Sequence, residues 1–265
     1  MNRLISYLAY LKRKYTYQTR HRRSQALIVS YPKSGRTWLR MLLCRYLSVK
    51  YGVDNKLDLF KITNKIKTVK TTEFQHEQAN HRLKLLPEDI AFDHHRYADK
   101  EVVFLHRDAR DTAVSMYFQL KHRETVEKDT YFQGSLSELY RNRMYGLEKV
   151  LAFNKMWLES SSKTAAYMAV SYEQMKSDTE QILISILEFI GEEKVDLELI
   201  KETVEFSKFE NMKKLEGSKD LNHTSMKAVD PSDTDHSKMR RGKVGGFKDY
   251  LSEEDLAYTQ EQLSL

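Results

Sequence analysis

The feature that most constrains the fold of this chain is a change of hydrophobic period between residues 26 and 49. Residues 26–30 (ALIVS) form a short, continuous apolar run, which is typical of a strand buried on both faces of a parallel sheet. From Thr37 the apolar residues recur at helical spacing until Gly52, a residue type that commonly ends a helix. The sequence therefore predicts a buried strand, a short loop and a helix in succession.

Strand–helix alternation continues to the end of the chain. Further strands are predicted at 68–74, 102–105 and 164–170, and further helices at 111–122, 138–160, 179–190, 197–206 and after the capping box at 252–255. This alternation predicts the α/β class, as a three-layer sandwich around a central, mostly parallel sheet. Because no repeat or linker interrupts it, we expect a single domain over residues 24–265, preceded by a basic helical arm over residues 1–23.

Positive charge is concentrated in the first fifth of the chain. Residues 1–53 contain twelve Lys or Arg and no carboxylate, although the whole chain has a net charge of only +6. For the arm, three interpretations remain: a helix on a membrane surface, a nucleic-acid-binding arm, or a solvated helix that packs through its leucines. We favour the packed helix and expect no nucleic-acid partner, while peripheral membrane contact through residues 1–23 stays open.

The chain has a single cysteine, Cys44, and this limits its chemistry. One cysteine excludes an intramolecular disulfide and any metal site built from several cysteines. A reducing compartment is therefore the expected environment. No apolar run approaches the roughly 20 residues that a membrane span requires. Together these observations predict a soluble, cytoplasmic protein.

The loop after the first strand, residues 30–38 (SYPKSGRTW), carries the strongest functional signal. It leads into a helix N-terminus, where free backbone N–H groups and the helix dipole favour an anion. Gly35 allows the backbone to approach a ligand closely, Lys33 supplies a cation, and Ser34 and Thr37 supply hydroxyl donors. Because the lysine precedes the glycine, the loop is not a Walker A motif. We expect a phosphate-like ligand without ATP and magnesium.

Two other short patterns resemble catalytic motifs but lack essential parts. Residues 106–108 (HRD) match a protein-kinase triplet, yet Ala113 stands where that motif has asparagine and no glycine-rich loop precedes it. His76 and His81 are five residues apart, which on a helix places them on different faces. The adjacent pair at 94–95 has the same defect. The sequence therefore predicts no metal site.

Three separated segments resemble motifs of the sulfotransferases that use 3′-phosphoadenosine 5′-phosphosulfate (PAPS). Residues 31–38 (YPKSGRTW) resemble the loop that binds the 5′-phosphosulfate of the donor. Residues 107–115 (RDARDTAVS) resemble the segment that binds its 3′-phosphate, and residues 240–248 (RRGKVGGFK) resemble the signature near the end of these enzymes. Weaker similarities lie at 172–175 (YEQM) and 206–212 (FSKFENM). In order, these segments identify the chain as a member of that family, of the bacterial type.

The resemblance implies a P-loop-NTPase-like fold, PAPS as co-substrate, 3′,5′-ADP as product and no metal. It implies transfer of a sulfuryl group to the hydroxyl of an alcohol, phenol or saccharide, whether small molecule, lipid or glycan. The residues that it assigns to nucleotide binding are Lys33, Ser34, Gly35, Arg36, Thr37, Trp38, Arg107, Ser115, Tyr172, Ser207, Phe209, Met212, Arg240, Arg241 and Gly242. Within this set, Trp38 either stacks on the adenine or belongs to the hydrophobic core. Arg36 stands at a position usually held by a small hydroxyl residue, and it either binds the 5′-phosphate or obstructs it.

The same resemblance implies two catalytic residues. Lys33 is expected to stabilise the leaving oxygen of the donor, because it is the mobile cation of the anion-binding loop. His76, at the end of the second predicted strand, is the preferred general base, with His81 as its rival and His94, His95 or an acid as the remaining alternatives. The remaining alternative for the whole chain is a P-loop nucleotide or small-molecule kinase, or an NTPase.

Overall fold

The computed structural model describes residues 15–53, 57–123, 132–215 and 241–264. Four parallel strands form one sheet in the order β2-β1-β3-β4. The strands are β1 (Ala26–Ser30), β2 (Thr72–Gln75), β3 (Glu101–His106) and β4 (Ala166–Ser171). This confirms the predicted α/β class with a parallel sheet.

Helices surround the sheet on both faces. Their bounds are α1 (described over 15–23), α2 (Arg36–Tyr51), α3 (Leu59–Thr63), α4 (His94–Tyr97), α5 (Ala109–Phe118), α6 (Leu136–Tyr140), α7 (Leu147–Leu158), α8 (Tyr172–Ser177), α9 (Thr179–Phe189), α10 (Leu197–Phe206), α11 (Phe209–Leu215) and α12 (Glu253–Leu263). Short 3₁₀ turns follow β2 and precede α12, and a π-helical segment, Gln119–Arg123, extends α5.

The alternation of side chains along β1 creates the three layers. Ala26 and Ile28 face a core cluster shared with α2, α9 and α10, whereas Leu27 and Val29 face a second cluster shared with α7. All four side chains are fully buried, as expected for a central strand covered on both faces. Trp157 of α7 fills the second cluster. The predicted three-layer sandwich is therefore confirmed.

Two predicted elements are shorter than the hydrophobic pattern suggested. The strand predicted at 68–74 pairs with β1 only from Thr72, because the backbone N–H of Lys70 donates instead to the carbonyl of Ile190 (2.7 Å). The helix predicted at 138–160 is divided into α6 and α7. At the division, a Cβ on Gly146 would lie 2.3 Å from the carbonyl oxygen of Tyr140, so the close turn requires glycine there.

The topology places all four carboxyl ends of the strands at one edge of the sheet. From the central strand β1 the chain crosses to β2 on one side and later to β3 on the other. Such a reversal opens a crevice between the carboxyl ends of β1 and β3, where open α/β sheets bind their ligands. The residues that follow those ends are Tyr31, His76, Arg107 and Tyr172.

The described part of the predicted arm packs against the domain. Arg20 of α1 forms ion pairs with Asp58 (2.8 Å) and Glu73 (2.9 Å). The buried imidazole of His21 lies 2.9 Å from the side-chain oxygen of Gln75, at the end of β2. Residues 1–14 of the arm lie outside the described residues. Within the described part of the chain, no helix has the length and apolar character to span a bilayer.

Lys149 of α7 is a charged residue in an apolar environment. Its side chain is fully buried, and its Nζ has no hydrogen-bond partner among the described residues. Burial lowers the pKa of Lys149 to about 8, and Asp89 only partly opposes this shift. An ammonium group held in such a site weakens the folded state.

We expect Lys149→Met to raise the free energy of unfolding by about 1–3 kcal/mol at pH 7. The folded pKa lies below the ordinary value of 10.5, so the unfolded chain binds more protons between pH 8 and 10.5. The destabilisation of the wild-type protein by the buried charge of Lys149 is therefore at its full value below pH 8 and becomes smaller above it. Urea denaturation at pH 7 and pH 9.5 checks both parts.

The matched control is Lys155→Met on the exposed face of the same helix. This substitution should change stability by no more than about 0.5 kcal/mol at either pH. A Lys149→Met protein that is less stable than the wild type, or equally stabilised at both pH values, would contradict the assignment of an unfavourable buried charge.

Candidate active site

A cleft of about 610 Å³ lies at the carboxyl edge of the sheet. The loops after all four strands and the segment from residue 241 contribute to its walls. Thirteen of the predicted site residues and the rival base line it, namely Lys33, Gly35, Arg36, Thr37, Trp38, His76, His81, Arg107, Ser115, Tyr172, Phe209, Met212, Arg241 and Gly242. The structure thus brings together three sequence segments that are more than 60 residues apart.

Two of the predicted residues that the structure describes do not line this cleft. Ser34 and Ser207 were expected to contact the nucleotide, but both side chains are buried, and neither hydroxyl has a hydrogen-bond partner among the described residues. The turn between Tyr31 and Ser34 directs the Ser34 side chain inward, and Ser207 follows the last turn of α10. Arg240 lies outside the described residues.

The loop after β1 has the geometry of an anion-binding site. Lys33 (φ 77°) and Gly35 (φ 93°) both adopt left-handed backbone conformations. Gly35 is the N-cap of α2 and, having no side chain, forms no side-chain cap hydrogen bond. The backbone N–H of Trp38 donates to the carbonyl of Gly35 (2.9 Å), so the N–H groups of Arg36 and Thr37 are those that an anion in the cleft would meet, where the helix dipole also favours negative charge.

Arg107 connects this loop to the C-terminal segment. It follows β3 and precedes α5, whose N-cap is Asp108, so Arg107 and Ser115 both reach the cleft. Its guanidinium donates to the backbone carbonyl of Lys243 (2.9 Å) and to that of Lys33 (3.4 Å). A guanidinium held between two backbone segments is oriented to bind a phosphate with its remaining donors.

Asp111 holds the C-terminal segment in place. Its carboxylate accepts hydrogen bonds from the backbone N–H groups of Gly245 and Phe247, both at 2.8 Å. It also lies 3.3 Å from Arg107. Because the carboxylate is buried, these contacts are well shielded from water and position the tail against α5. Sequence reasoning did not assign Asp111 a role, although it lies inside the recognised 107–115 segment.

Tyr172, the first residue of α8, contacts all three segments. Its hydroxyl donates to the carbonyl of Gly242 (3.2 Å), and its ring lies edge-on to Trp38 with 5.9 Å between ring centroids. The guanidinium carbon of Arg107 lies 4.5 Å from the ring centroid. A Cβ on Gly35 would lie 2.5 Å from the ring. The tyrosine therefore fills the space that glycine leaves open.

Trp38 is half-buried, and its stacking on adenine stays a prediction. It packs against the core cluster of α2 and also lines the cleft. The ammonium of Lys176 lies 5.5 Å from its ring centroid, within the range of a cation–π contact. Lys176 was not predicted, because a lysine in a short helix after a strand carries no signal in the sequence.

His76 is oriented by the backbone of β1. Its Nδ1 lies 2.9 Å from the carbonyl oxygen of Ser30. Because a carbonyl only accepts, Nδ1 carries the proton, and Nε2 is the proton-accepting nitrogen of the neutral ring. The next residue, Glu77, accepts a hydrogen bond from the hydroxyl of Tyr17 (2.6 Å), which ties the histidine turn to α1. His81 lies one 3₁₀ turn further and lines the same cleft.

The described residues contain no cluster of three or more His, Cys, Asp or Glu side chains arranged to hold a metal ion. Cys44 is buried in α2, away from the cleft lining, and burial raises the pKa of its thiol well above the usual range. The polar side chains that line the cleft are mainly those of arginines, lysines, histidines and hydroxyl residues, with one carboxylate, Asp111.

Known proteins share both this sequence pattern and this fold. The family model described as "Sulfotransferase domain" matches residues 23–263. Sulfotransferase 1E1 of Bos taurus is 27% identical over 246 residues, and the match covers 85% of this chain and 77% of that protein. Flavonol 3-sulfotransferase of Flaveria bidentis is 24% identical, and the match covers 87% of this chain and 78% of that protein. The solved structure of mouse sulfotransferase SULT7A1 complexed with PAP superposes with a TM-score of 0.59 at 20% identity, covering 91% of this chain and 82% of that one.

The fold and the family match define the class: the chain belongs to the sulfotransferase domain family. The enzyme class predicted from the three motifs, a PAPS-dependent sulfotransferase, is thereby confirmed.

We expect Gly35→Ala to weaken binding of 3′,5′-ADP by at least about tenfold, because the added Cβ meets a tyrosine ring that is itself held by Gly242. Isothermal calorimetry measures the affinity. The matched control is Gly52→Ala at the other end of α2, which is also left-handed (φ 62°) but has no atom within 4 Å of the added Cβ. Equal losses of affinity in the two variants would show that backbone strain, and not the contact with Tyr172, limits position 35.

Proposed function

We propose that this cleft binds PAPS together with an acceptor hydroxyl, with Lys33 and His76 as the catalytic pair. The observation that carries the proposal is the convergence of the 31–38 loop, Arg107 and the segment from Arg241 around one cavity that also contains an oriented imidazole. Each of these groups has a function that the donor or the acceptor requires.

The two ends of the cleft suit the two charged ends of the donor. We assign the phosphosulfate to the N-terminus of α2, beside Lys33 and Thr37. The 3′-phosphate is assigned to Arg107 and Ser115, together with the segment that begins at Arg241. Orphaned backbone donors at one end and a forked guanidinium at the other meet the need of a ligand with about four negative charges. Arg240 remains a proposed contact outside the described residues.

The adenine is assigned to the aromatic side of the cleft. Trp38 and Phe209 both line it, and a Cβ on Gly242 would lie 2.8 Å from the Phe209 ring. Gly242 (φ 60°) therefore allows the tail to cross close to that ring. Flat aromatic surfaces of this kind stabilise a base by stacking. Met212, fully buried beside Phe209, supports this wall.

The catalytic roles follow from the positions of two side chains. When bound, PAPS supplies an activated sulfur. His76 Nε2 accepts the proton of the acceptor hydroxyl, which makes the oxygen nucleophilic, while the Nδ1 contact to Ser30 keeps the ring in the required tautomer. Lys33 Nζ, which now donates to Gln119 (3.3 Å), stabilises negative charge on the leaving oxygen.

For the acceptor and the cellular location we propose only a broad class. The proposed acceptor is a hydroxyl-bearing molecule, in agreement with the flavonol acceptor in the name of the Flaveria relative. A cytosolic location is proposed because a relative from Arabidopsis thaliana is named a cytosolic sulfotransferase and because the single cysteine suits a reducing compartment. Membrane contact through residues 1–23 and membership of the bacterial type stay predictions.

Ligand binding tests the proposal directly. At 100 times its Kd, 3′,5′-ADP should stabilise the protein by about 2.7 kcal/mol, whereas ATP with Mg²⁺ should give a much smaller shift. Thermal unfolding measures both, and transfer from ³⁵S-labelled PAPS to a panel of alcohols, phenols and saccharides measures activity. Stabilisation by ATP and Mg²⁺ alone, without transfer of label, would favour the kinase or NTPase alternative.

The base is tested by comparing two histidines. We expect His76→Ala to lower kcat by about 10²–10⁴, because it removes the general base, while 3′,5′-ADP still binds. His81→Ala should retain most activity, and His95→Ala, an exposed residue outside the cleft, serves as control. Retained activity in His76→Ala with loss in His81→Ala would transfer the role to His81.

A further inference from the structure

The cleft contains more positive charge than the donor requires. Among the described residues, eight Lys or Arg line it, against a single carboxylate, Asp111. The eight are Lys33, Arg36, Arg40, Arg82, Arg107, Lys176, Arg241 and Lys243. PAPS brings about four negative charges. Asp249 pairs with Arg241 and Lys243, which reduces the excess at the 3′-phosphate end but not at the end near His76.

Two of the surplus cations lie together on the side of the general base. Arg36 and Arg40 are one helical turn apart on α2, and their guanidinium carbons lie 5.5 Å and 4.8 Å from the ring centroid of Phe74. Phe74 belongs to β2, two residues before His76. The pair therefore lies on the β2 side of the cleft, opposite the β3 side that carries Arg107 and its phosphate site.

Among the described residues, no carboxylate forms an ion pair with Arg36 or Arg40. The nearby acids Asp58 and Glu73 form theirs with Arg20 and attract these two arginines only at longer range. Nη1 of Arg36 is buried and has no hydrogen-bond partner among the described residues. Burial, together with the neighbouring Arg40, lowers the pKa of Arg36 to about 9, and Glu73 and Tyr17 only partly oppose this shift. Like charges one turn apart, with donors left unsatisfied, are unfavourable unless an anion joins them.

The donor does not provide that anion. Its phosphosulfate is assigned to the first turn of α2, whereas Arg40 lies a full turn, about 5.4 Å, further along the helix axis. Arg36 can contribute to both positions, whereas Arg40 lies over the ring of Phe74, in the part of the cleft on the β2 side. This part is where the proposed reaction requires the acceptor.

We propose that the acceptor is an acid as well as an alcohol or phenol, and that Arg36 and Arg40 bind its carboxylate, sulfate or phosphate group while its hydroxyl faces His76. The proposal rests on the proposed function and specifies its substrate class. Two guanidinium groups stacked on one ring form a rigid, paired site, and paired N–H donors suit the two oxygens of an oxyanion. Arg82, which also lines the cleft, adds positive charge to this wall.

Matched acceptors test this assignment. 4-Hydroxyphenylacetate is compared with its neutral amide, and glucose 6-phosphate with glucose, so that a carboxylate and a phosphate are examined separately. Transfer from labelled PAPS gives kcat/KM, and calorimetry with 3′,5′-ADP present gives the affinity of each compound. In at least one pair the acid should exceed its neutral partner by about tenfold, as expected for one charge-assisted contact.

Arg40→Gln should lower the acid-to-neutral ratio about tenfold, and Arg40→Lys should restore part of it. The matched control is Arg45→Gln in the same helix. The guanidinium carbon of Arg45 lies 4.5 Å from the ring centroid of Phe206, and Arg45 does not line the cleft. The control should leave the ratio, kcat and 3′,5′-ADP binding unchanged.

Equal or weaker use and binding of both acids relative to their neutral partners would overturn the inference. So would an Arg40→Gln protein that loses affinity for 3′,5′-ADP as strongly as for the acid, since Arg40 would then belong to the donor site. Failure of the proposed function is a different result: the wild-type protein would bind no 3′,5′-ADP and transfer label to neither member of any pair.

Discussion

Parallel pairing of four strands is the constraint on which the rest of this structure depends. Because β1 lies in the centre and its neighbours run in the same direction, every strand delivers its next residue to the same edge of the sheet. The loop after β1, a histidine, an arginine and a tyrosine lie there, from four distant parts of the chain. The hydrophobic residues of β1, buried on both faces, thus determine where polar chemistry occurs, although none of them takes part in it.

Much of this arrangement could be predicted, and the limits have physical causes. Strand β1 and helix α2 were predictable because burial on both faces and helical periodicity leave unambiguous patterns. The break between α6 and α7 was missed, since it depends on how closely Gly146 approaches two backbone carbonyls in three dimensions. Lys33, Arg107 and Arg241 could be predicted as neighbours in one cleft because the segments that contain them resemble motifs of a known family. The residues that hold these groups in place, such as Asp111 and Lys176, make contacts over long sequence distances that no local pattern records.

The electrostatic balance of the cleft differs from that of the surrounding protein. Outside it, Arg20 and Lys50 meet carboxylates in ordinary ion pairs. Inside it, the single described carboxylate, Asp111, is occupied with backbone N–H groups and Arg107. Repulsion between the remaining cations is tolerated because the large apolar layers on both faces of the sheet stabilise the fold. The cleft therefore has a positive potential, which attracts anionic ligands before contact.

The packing of the Tyr172 ring against a bare backbone has an evolutionary consequence. Substitutions at positions 35, 172 and 242 depend on one another. The Tyr172 ring occupies the volume that a side chain at 35 would need, and its hydroxyl donates a hydrogen bond to the carbonyl at 242. A smaller residue at 172 would remove the clash with a Cβ at 35, although the left-handed backbone there would still favour glycine, and it would leave that carbonyl without its donor. Related sequences that depart from this arrangement should therefore have changed all three positions together, so these three residues can serve as a covariation marker for this geometry of the cleft.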